Sequence, residues 1–339
     1  MKLPPKWLRR ILIDPALVLG VVLAIVSLPI WIVVAAFVSR YVPGKWRILR
    51  LVWFLFLYLI VETVALIAMF LTWLFSGFGW KIRSPWFTEA HYRLLGWMLR
   101  TVVRSGEITF KLEVVRDGDP PSTSDGERSR SILVFSRHAG PGDSFLLMNG
   151  LVNGYHRDPR IVLKEFLQWD PAVDVILNRL PASFVPVGRK GGEALIVSIS
   201  ELARTMDLDD AFVIFPEGAN YTERRRARAI QKLREIGRPD LAERAEELRQ
   251  TLPPRSLGVM TALAAAPTSD VFFIGHAGLE AFVTAADIWR AMPMDTSVAV
   301  KIWHVRAEDI PPPEGQETWL YDTWAEIDNW ISSELEKTG

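Results

Sequence analysis

In the stretch Arg137-His138-Ala139-Gly140-Pro141-Gly142-Asp143, an imidazole and a carboxylate are separated by four residues, three of which are Gly or Pro. A carboxylate bonded to one imidazole nitrogen fixes the tautomer, leaves the other nitrogen free to take a proton, and stabilises the imidazolium that forms. On a regular helix, residues five apart point about 140° away from each other. Gly-Pro-Gly cannot be helix interior, and the turn it makes allows Asp143 to fold back onto His138. Asp143 also occupies the N-cap slot of the apolar segment Ser144–Met148. A helix cap beside a loop histidine is therefore the competing reading, and these residues by themselves support the two equally.

Ser131–Ser136 is a short apolar run of strand length, so His138 falls just past a strand end. Further strands are expected at Thr109–Val115, Arg160–Leu163, Ser183–Val187, Ala211–Phe215, Asp270–Ile274 and Ser297–His304, with amphipathic helical stretches between them. Such interleaving predicts an α/β fold, a mostly parallel central sheet covered by helices. Asp117 to Arg130 reads as a loop.

Three other stretches carry candidate chemistry. In Phe184–Glu193 a strand ends in a basic, Gly-rich turn that opens a helix, where backbone amides with Arg189 and Lys190 suit a phosphate; solvated turn residues are the plain reading. Phe212–Asn220 places Glu217, followed by Gly218, at a strand's carboxyl end, the usual ligand side of an α/β sheet, where it can bind hydroxyls or serve as a turn acid. Leu252–Gly258 sets Arg255 beside a helix start, and alone it reads as a loop.

Ahead of this body, Ala16–Val38 and Leu51–Phe75 are apolar runs long enough for a hydrocarbon core that needs about 20 such residues. They predict a two-helix membrane hairpin over residues 1–80, followed by an interfacial amphipathic helix (81–107) and the α/β domain (108–339). The outer basic flanks are richer than the turn, which places the termini and the α/β domain on the cytoplasmic face; a hairpin that dips into one leaflet instead of spanning would leave all these charges on the same side. Glu62, inside the second run, can be functional, but the structural reading, protonated or paired within the hairpin, is favoured.

Composition excludes several classes. Equal numbers of acidic and basic residues, 39 each, argue against a nucleic-acid binder, and the absence of cysteine removes disulfides, thiolate nucleophiles and Cys-ligated metals. No Gly-x-Ser-x-Gly elbow or His-Glu-x-x-His pair occurs, so neither a serine hydrolase of the usual type nor a zinc hydrolase is expected. His91, His156, His276 and His304 are scattered.

Taken in order, RHAGPGD, FVPVGRKGG, FPEGAN and LPPRSLG behind an apolar hairpin resemble the glycerolipid acyltransferases typified by 1-acylglycerol-3-phosphate acyltransferases, over roughly residues 85 to 305. The resemblance implies His138 as general base and Asp143 as its orienting partner. It implies Arg189, with Lys190 beside it, as phosphate-binding, Glu217-Gly218 as acceptor-binding, and Arg255 as a further substrate-binding residue. The implied reaction joins a lysophospholipid at the bilayer to an acyl group from acyl-CoA or an acyl carrier protein, with no cofactor, metal or nucleic acid and no stated oligomeric state. Ala219-Asn220 departs from the family's Thr-Arg, which leaves the headgroup open; Arg224, Arg225, Arg226 and Arg228 follow it. A lipid- or partner-binding protein without catalysis is the alternative.

Overall fold

Strand β2 (Ile132–Ser136) is buried along its whole length, and its side chains alternate between two cores. The computed structural model describes residues 3–117, 130–140, 142–186, 189–280 and 285–338. Most of the loop expected between 117 and 130 lies outside the described residues, as do Pro141 and the side chains of Arg189 and Lys190. On one face of the sheet Leu133 and Phe135 pack with Phe212, Val271 and Phe273. On the other, Ile132 and Val134 pack with Ala211, Val213, Phe272 and Ile274. Strands buried on both faces read as unbroken apolar runs, which is why their positions were legible.

The other strands are β1 (Leu112–Asp117), β3 (Asp158–Lys164), β4 (Ala182–Val185), β5 (Asp210–Ile214), β6 (Asp270–Ala277) and β7 (Thr296–Val305). They form one seven-stranded sheet in the order β1-β7-β6-β2-β5-β3-β4. From β6 to β4 every pairing is parallel, and β7 joins β6 antiparallel with β1 parallel to β7. The fold is α/β, a mostly parallel central sheet with helices around it. The strand expected from Thr109 starts later, because Thr109 and Phe110 complete a helix in which Phe110 packs on Phe54, ring centroids 4.7 Å apart.

Eleven helices accompany the sheet among the described residues. They are α1 (Lys6–Ser39), α2 (Arg47–Phe75), α3 (Pro85–Phe110), α4 (Asp143–Asn149), α5 (Pro171–Leu177), α6 (Arg189–Arg204), α7 (Glu223–Glu235), α8 (Pro239–Glu247), α9 (Ser256–Ala265), α10 (Ala285–Ala291) and α11 (Pro313–Thr338). Leu320, Trp324, Ile327 and Ile331 of α11, at helical spacing, are fully buried against the sheet.

Helices α1 and α2 are long and apolar enough to cross a membrane by length and composition. They form an antiparallel hairpin, and α2 rides on the α/β body along its length. At its start Arg47 donates to the carbonyls of Arg290 and Met292, and Arg50 donates to that of Thr109. Midway, Tyr58 donates to Asp170 at 2.5 Å, and Glu62 accepts the Ala172 amide at 3.1 Å. Near its end the Met69 carbonyl and Thr72 hydroxyl accept from Arg179. The first residues of α1 are tied down as well, Arg9 reaching Asp174 at 2.9 and 3.0 Å.

Glu62 is thus paired outside the hairpin: it satisfies an orphan donor at the start of α5, a short helix whose first turn lies against α2. Replacing Glu62 by Ala leaves the Ala172 amide unpaired in a buried site, at a cost of about 1–3 kcal/mol. Thermal unfolding in detergent should show it as a lowered midpoint, with limited proteolysis entering first at the junction of α2 and α5.

The helix expected at the bilayer interface, α3, has a divided surface. Phe87, Tyr92, Met98, Leu99 and Val103 face inward, so the packed face is a core face; Trp86 and Ile108 are exposed.

Candidate active site

The carboxyl ends of β2, β5, β6 and β4 point to one edge of the sheet, and those of β2, β5 and β4 each lead into a segment singled out by its sequence. From β2 the chain enters the turn bearing His138. From β5 it enters Phe215-Pro216-Glu217-Gly218. From β4 it reaches α6, whose first residues are Arg189 and Lys190, with side chains outside the described residues.

The turn after β2 folds Asp143 back onto His138. Nδ1 of His138 lies 3.1 and 3.0 Å from the two Asp143 oxygens. Oδ2 also accepts the amides of Ala139 at 2.7 Å and Gly140 at 3.1 Å, and Oδ1 accepts the Ser144 hydroxyl at 3.2 Å. Helix α4 begins at Asp143 itself, and no side chain caps it. The carboxylate therefore faces the turn that precedes it instead of the helix that follows, and the cap reading is excluded by geometry.

Burial alone would raise the Asp143 carboxyl. The hydrogen bond from His138, with the nearby His276 imidazole, outweighs that penalty and holds it well below the usual carboxylate range. An ionised carboxylate only accepts, so Nδ1 carries the hydrogen and Nε2 presents its lone pair. The His138 side chain is 22 % exposed against 2 % for Asp143, and its ring leans on Phe215 at 4.8 Å. The pair can act as a base with one nitrogen open to a reactant.

Glu217 is buried, and both its oxygens are taken. Oε1 accepts the His138 amide at 2.9 Å and Oε2 accepts the Leu252 amide at 2.8 Å. Through these two bonds the side chain expected at the acceptor ties the His138 turn to the segment before Arg255. Burial pushes its carboxyl up to about 7, against the pull of Arg137 and the two amides. Gly218 adopts φ +68°, and a Cβ there would come within 2.8 Å of the Arg255 guanidinium, so only glycine allows that side chain to lie over the loop. Arg255 is exposed, and its own amide donates to the Pro216 carbonyl at 3.0 Å. Trp324 and Asp328 of α11 hold the segment from behind, through the Leu252 carbonyl and the amides of Arg249 and Gln250. What reads as a loop in the sequence is a pinned wall of the site.

Two buried residues escaped sequence reasoning. Arg137, fully buried, donates to the His276 carbonyl at 2.5 Å and the Gln250 carbonyl at 2.8 Å, and pairs with Glu280. His276, on β6, brings Nε2 to 3.6 Å from Asp143 Oδ2. A signal for His276 exists once β2 and β6 are paired: Ser136 stands opposite Ile274, so two residues on, 276 comes beside 138. No group of residues able to hold a metal ion occurs among the described residues.

The family model described as Acyltransferase matches residues 115–271. The chain carries an acyltransferase-family domain. The match begins in β1 and ends in β6, so it takes in His138, Asp143, Glu217, Gly218 and Arg255, and the acyltransferase sheet is the one that brings these five together. The hairpin, β7 and α11 lie outside the matched span of the acyltransferase domain. Among curated proteins, none matches the chain.

Proposed function

We propose that this protein is a membrane-associated acyltransferase that moves a fatty acyl group from acyl-CoA or an acyl carrier protein to the hydroxyl of a lysophospholipid, with 1-acylglycerol-3-phosphate as first candidate acceptor. The observation that carries the reading is the His138–Asp143 pair inside an acyltransferase-family domain, with Nδ1 held by the carboxylate and Nε2 on the open side. Nε2 takes the acceptor's hydroxyl proton as that oxygen attacks the thioester carbonyl. The C–S bond then breaks, the thiolate leaves and recovers a proton from the imidazolium, and an ester remains. Glu217 contributes by holding the His138 backbone.

A largely apolar pocket, open to solvent, lies against Asp143 and is walled by Val103, Leu146, Leu147, Val298, Val300 and Ile302. Its lining suits a fatty chain. Charge for a headgroup phosphate comes from Arg255 over Gly218 and from Arg225, whose guanidinium bonds the Asn220 carbonyl at 2.9 Å. Arg225 thereby stands beside the position where the family carries its own Arg.

The bilayer is the third element. Exposed Val26, Val33, Phe37, Phe70, Phe75 and Trp80 give the hairpin a wide apolar surface. Yet the start of α1, the turn after it and the start, middle and end of α2 are bonded to the body, and α2 alone measures roughly 43 Å at 1.5 Å per residue. A hairpin laid along the domain in this way enters one leaflet and leaves its turn on the domain's side. With the domain on the cytoplasmic face, the turn is cytoplasmic too.

The direct test is transfer from labelled acyl-CoA and acyl carrier protein to a panel of lysolipids and glycerol phosphate with purified full-length protein. Product with a phosphate-bearing lysolipid is the expected result; no product with any acceptor from either donor would end the enzyme reading. Placement is tested separately. Because the chain has no cysteine, single Cys residues at Arg40 in the turn and Glu235 on α7 can be labelled with an impermeant maleimide in sealed vesicles. The two sites should label from the same side; opposite sides would mean a spanning hairpin.

A further inference from the structure

Acyl transfer by His138 and Asp143 leaves one buried imidazole without a task. Phe272, Ile274 and His276 share a face of β6, the first two inside a core with Leu147 and Met148 of α4. An apolar side chain would suit position 276 equally well on packing grounds. Instead a ring only 7 % exposed sits there, with no hydrogen-bond partner at either nitrogen. Leaving such atoms buried and unpaired is costly, so a compensating interaction must favour them. The nearest charge is Asp143, whose Oδ2 lies 3.6 Å from Nε2. That distance is longer than a closed hydrogen bond, and it aims the ring at the carboxylate that already holds His138.

We propose that His276 is a positioning residue for the His138–Asp143 pair: a neutral imidazole whose Nε2–H points at Oδ2 and limits how strongly that carboxylate pulls on the Nδ1–H of His138. The proposal rests on reading His138 as the base. His276 touches no reacting atom. A donor on the far side of Asp143 draws off part of its negative charge and fixes the rotation of the carboxyl group, and the base thereby stays neutral, with its lone pair available, to lower pH.

The groups facing His276 leave Asp143 as its main electrostatic partner. Arg137 bonds the His276 carbonyl and is itself paired with Glu280. From α3 and β1, Glu107 and Arg116 line the same cavity as His276 and carry opposite signs. Across the strand pairing with β7, its neighbour is the apolar Val300. His138 lies beyond the shared carboxylate.

Full-length protein in detergent micelles, with its five histidines labelled at the ring nitrogens, tests this by NMR without reference to turnover. Wild type should show His276 neutral with hydrogen on Nε2. In His276→Phe the His138 Nδ1–H resonance should move downfield as the carboxylate binds it more strongly. His276→Gln, whose amide nitrogen falls near the place of Nε2, should restore it, whereas His276→Asn, too short to reach Asp143, should behave like Phe. In turnover, the acid limb of the kcat/KM profile should shift to higher pH in the Phe and Asn variants by about half to one unit, the size of one modest hydrogen bond. Identical His138 resonances in wild type, Gln and Asn variants would overturn the proposal, and that comparison holds even if the Phe variant fails to fold. If the resonances move as described while no acyl transfer is found, the coupling stands and the enzymatic reading fails.

Discussion

Replacing His138 by alanine lowers acyl transfer by about 10²–10⁴-fold, the usual contribution of a positioned general base. The loss is expected on kcat and kcat/KM together, because in the proposed mechanism the imidazole acts on the hydroxyl proton in the transition state and contributes little to holding either substrate. The fold should tolerate the change: the side chain is partly exposed, and the contact that anchors the turn, from the His138 amide to Glu217, belongs to the backbone and survives it. Unchanged circular dichroism and thermal midpoint beside the lost rate complete the expected result. Full activity in the alanine variant would remove His138 from the mechanism whatever the family of the domain. Asp143→Asn is a less clean probe. The Asp143 carboxylate accepts from His138, Ala139, Gly140 and Ser144, so the amide alters the turn as well as the tautomer.

Arg137→Leu is expected to destabilise the fold by about 3–5 kcal/mol, the range for removing one partner of a buried ion pair. The guanidinium meets the carbonyls of His276 and Gln250 and the carboxylate of Glu280 from a fully buried position, and it offsets the charge of Glu217. Leucine fills most of the volume and satisfies none of these groups. Chemical denaturation in detergent measures the loss; a variant as stable as wild type would show that the cluster is not held by this arginine.

The penalty should also depend on pH. Burial raises Glu217 to about 7 from its ordinary 4.5, so the folded chain holds that proton more tightly than the unfolded one. Its contribution to stability is fullest below about 4.5 and declines as pH rises towards 7. Without Arg137 the carboxyl rises further and the decline continues to higher pH. Arg137→Leu should therefore cost more at pH 8 than at pH 5.

Those two residues are neighbours in the chain, yet only one was legible from sequence. His138 stood out because a histidine, a Gly-Pro-Gly turn and an aspartate after an apolar strand form a local pattern. Arg137 looked like a basic flank, since its three partners lie on segments more than a hundred residues away. Local composition also located every strand of the sheet, the central ones because buried parallel strands must be short and apolar; the boundary at Thr109 slipped because a contact with Phe54 in another helix extends α3.

Hydropathy determined that the first two helices are long and apolar enough to cross a membrane, but a helix that crosses a bilayer and one that lies along it share the same composition. How the hairpin packs on the α/β body was decided by Arg9 on Asp174, Glu62 on the Ala172 amide and Arg50 on the Thr109 carbonyl, all contacts between distant segments. The same division holds at the site. By itself the sequence determined which residues can do chemistry and that strand ends deliver them to one edge. That Asp143 bonds His138 instead of capping a helix, that both oxygens of Glu217 meet backbone amides, and that His276 faces the same carboxylate were decided only by tertiary structure, because turn geometry and strand register fix directions that residue type and spacing leave free.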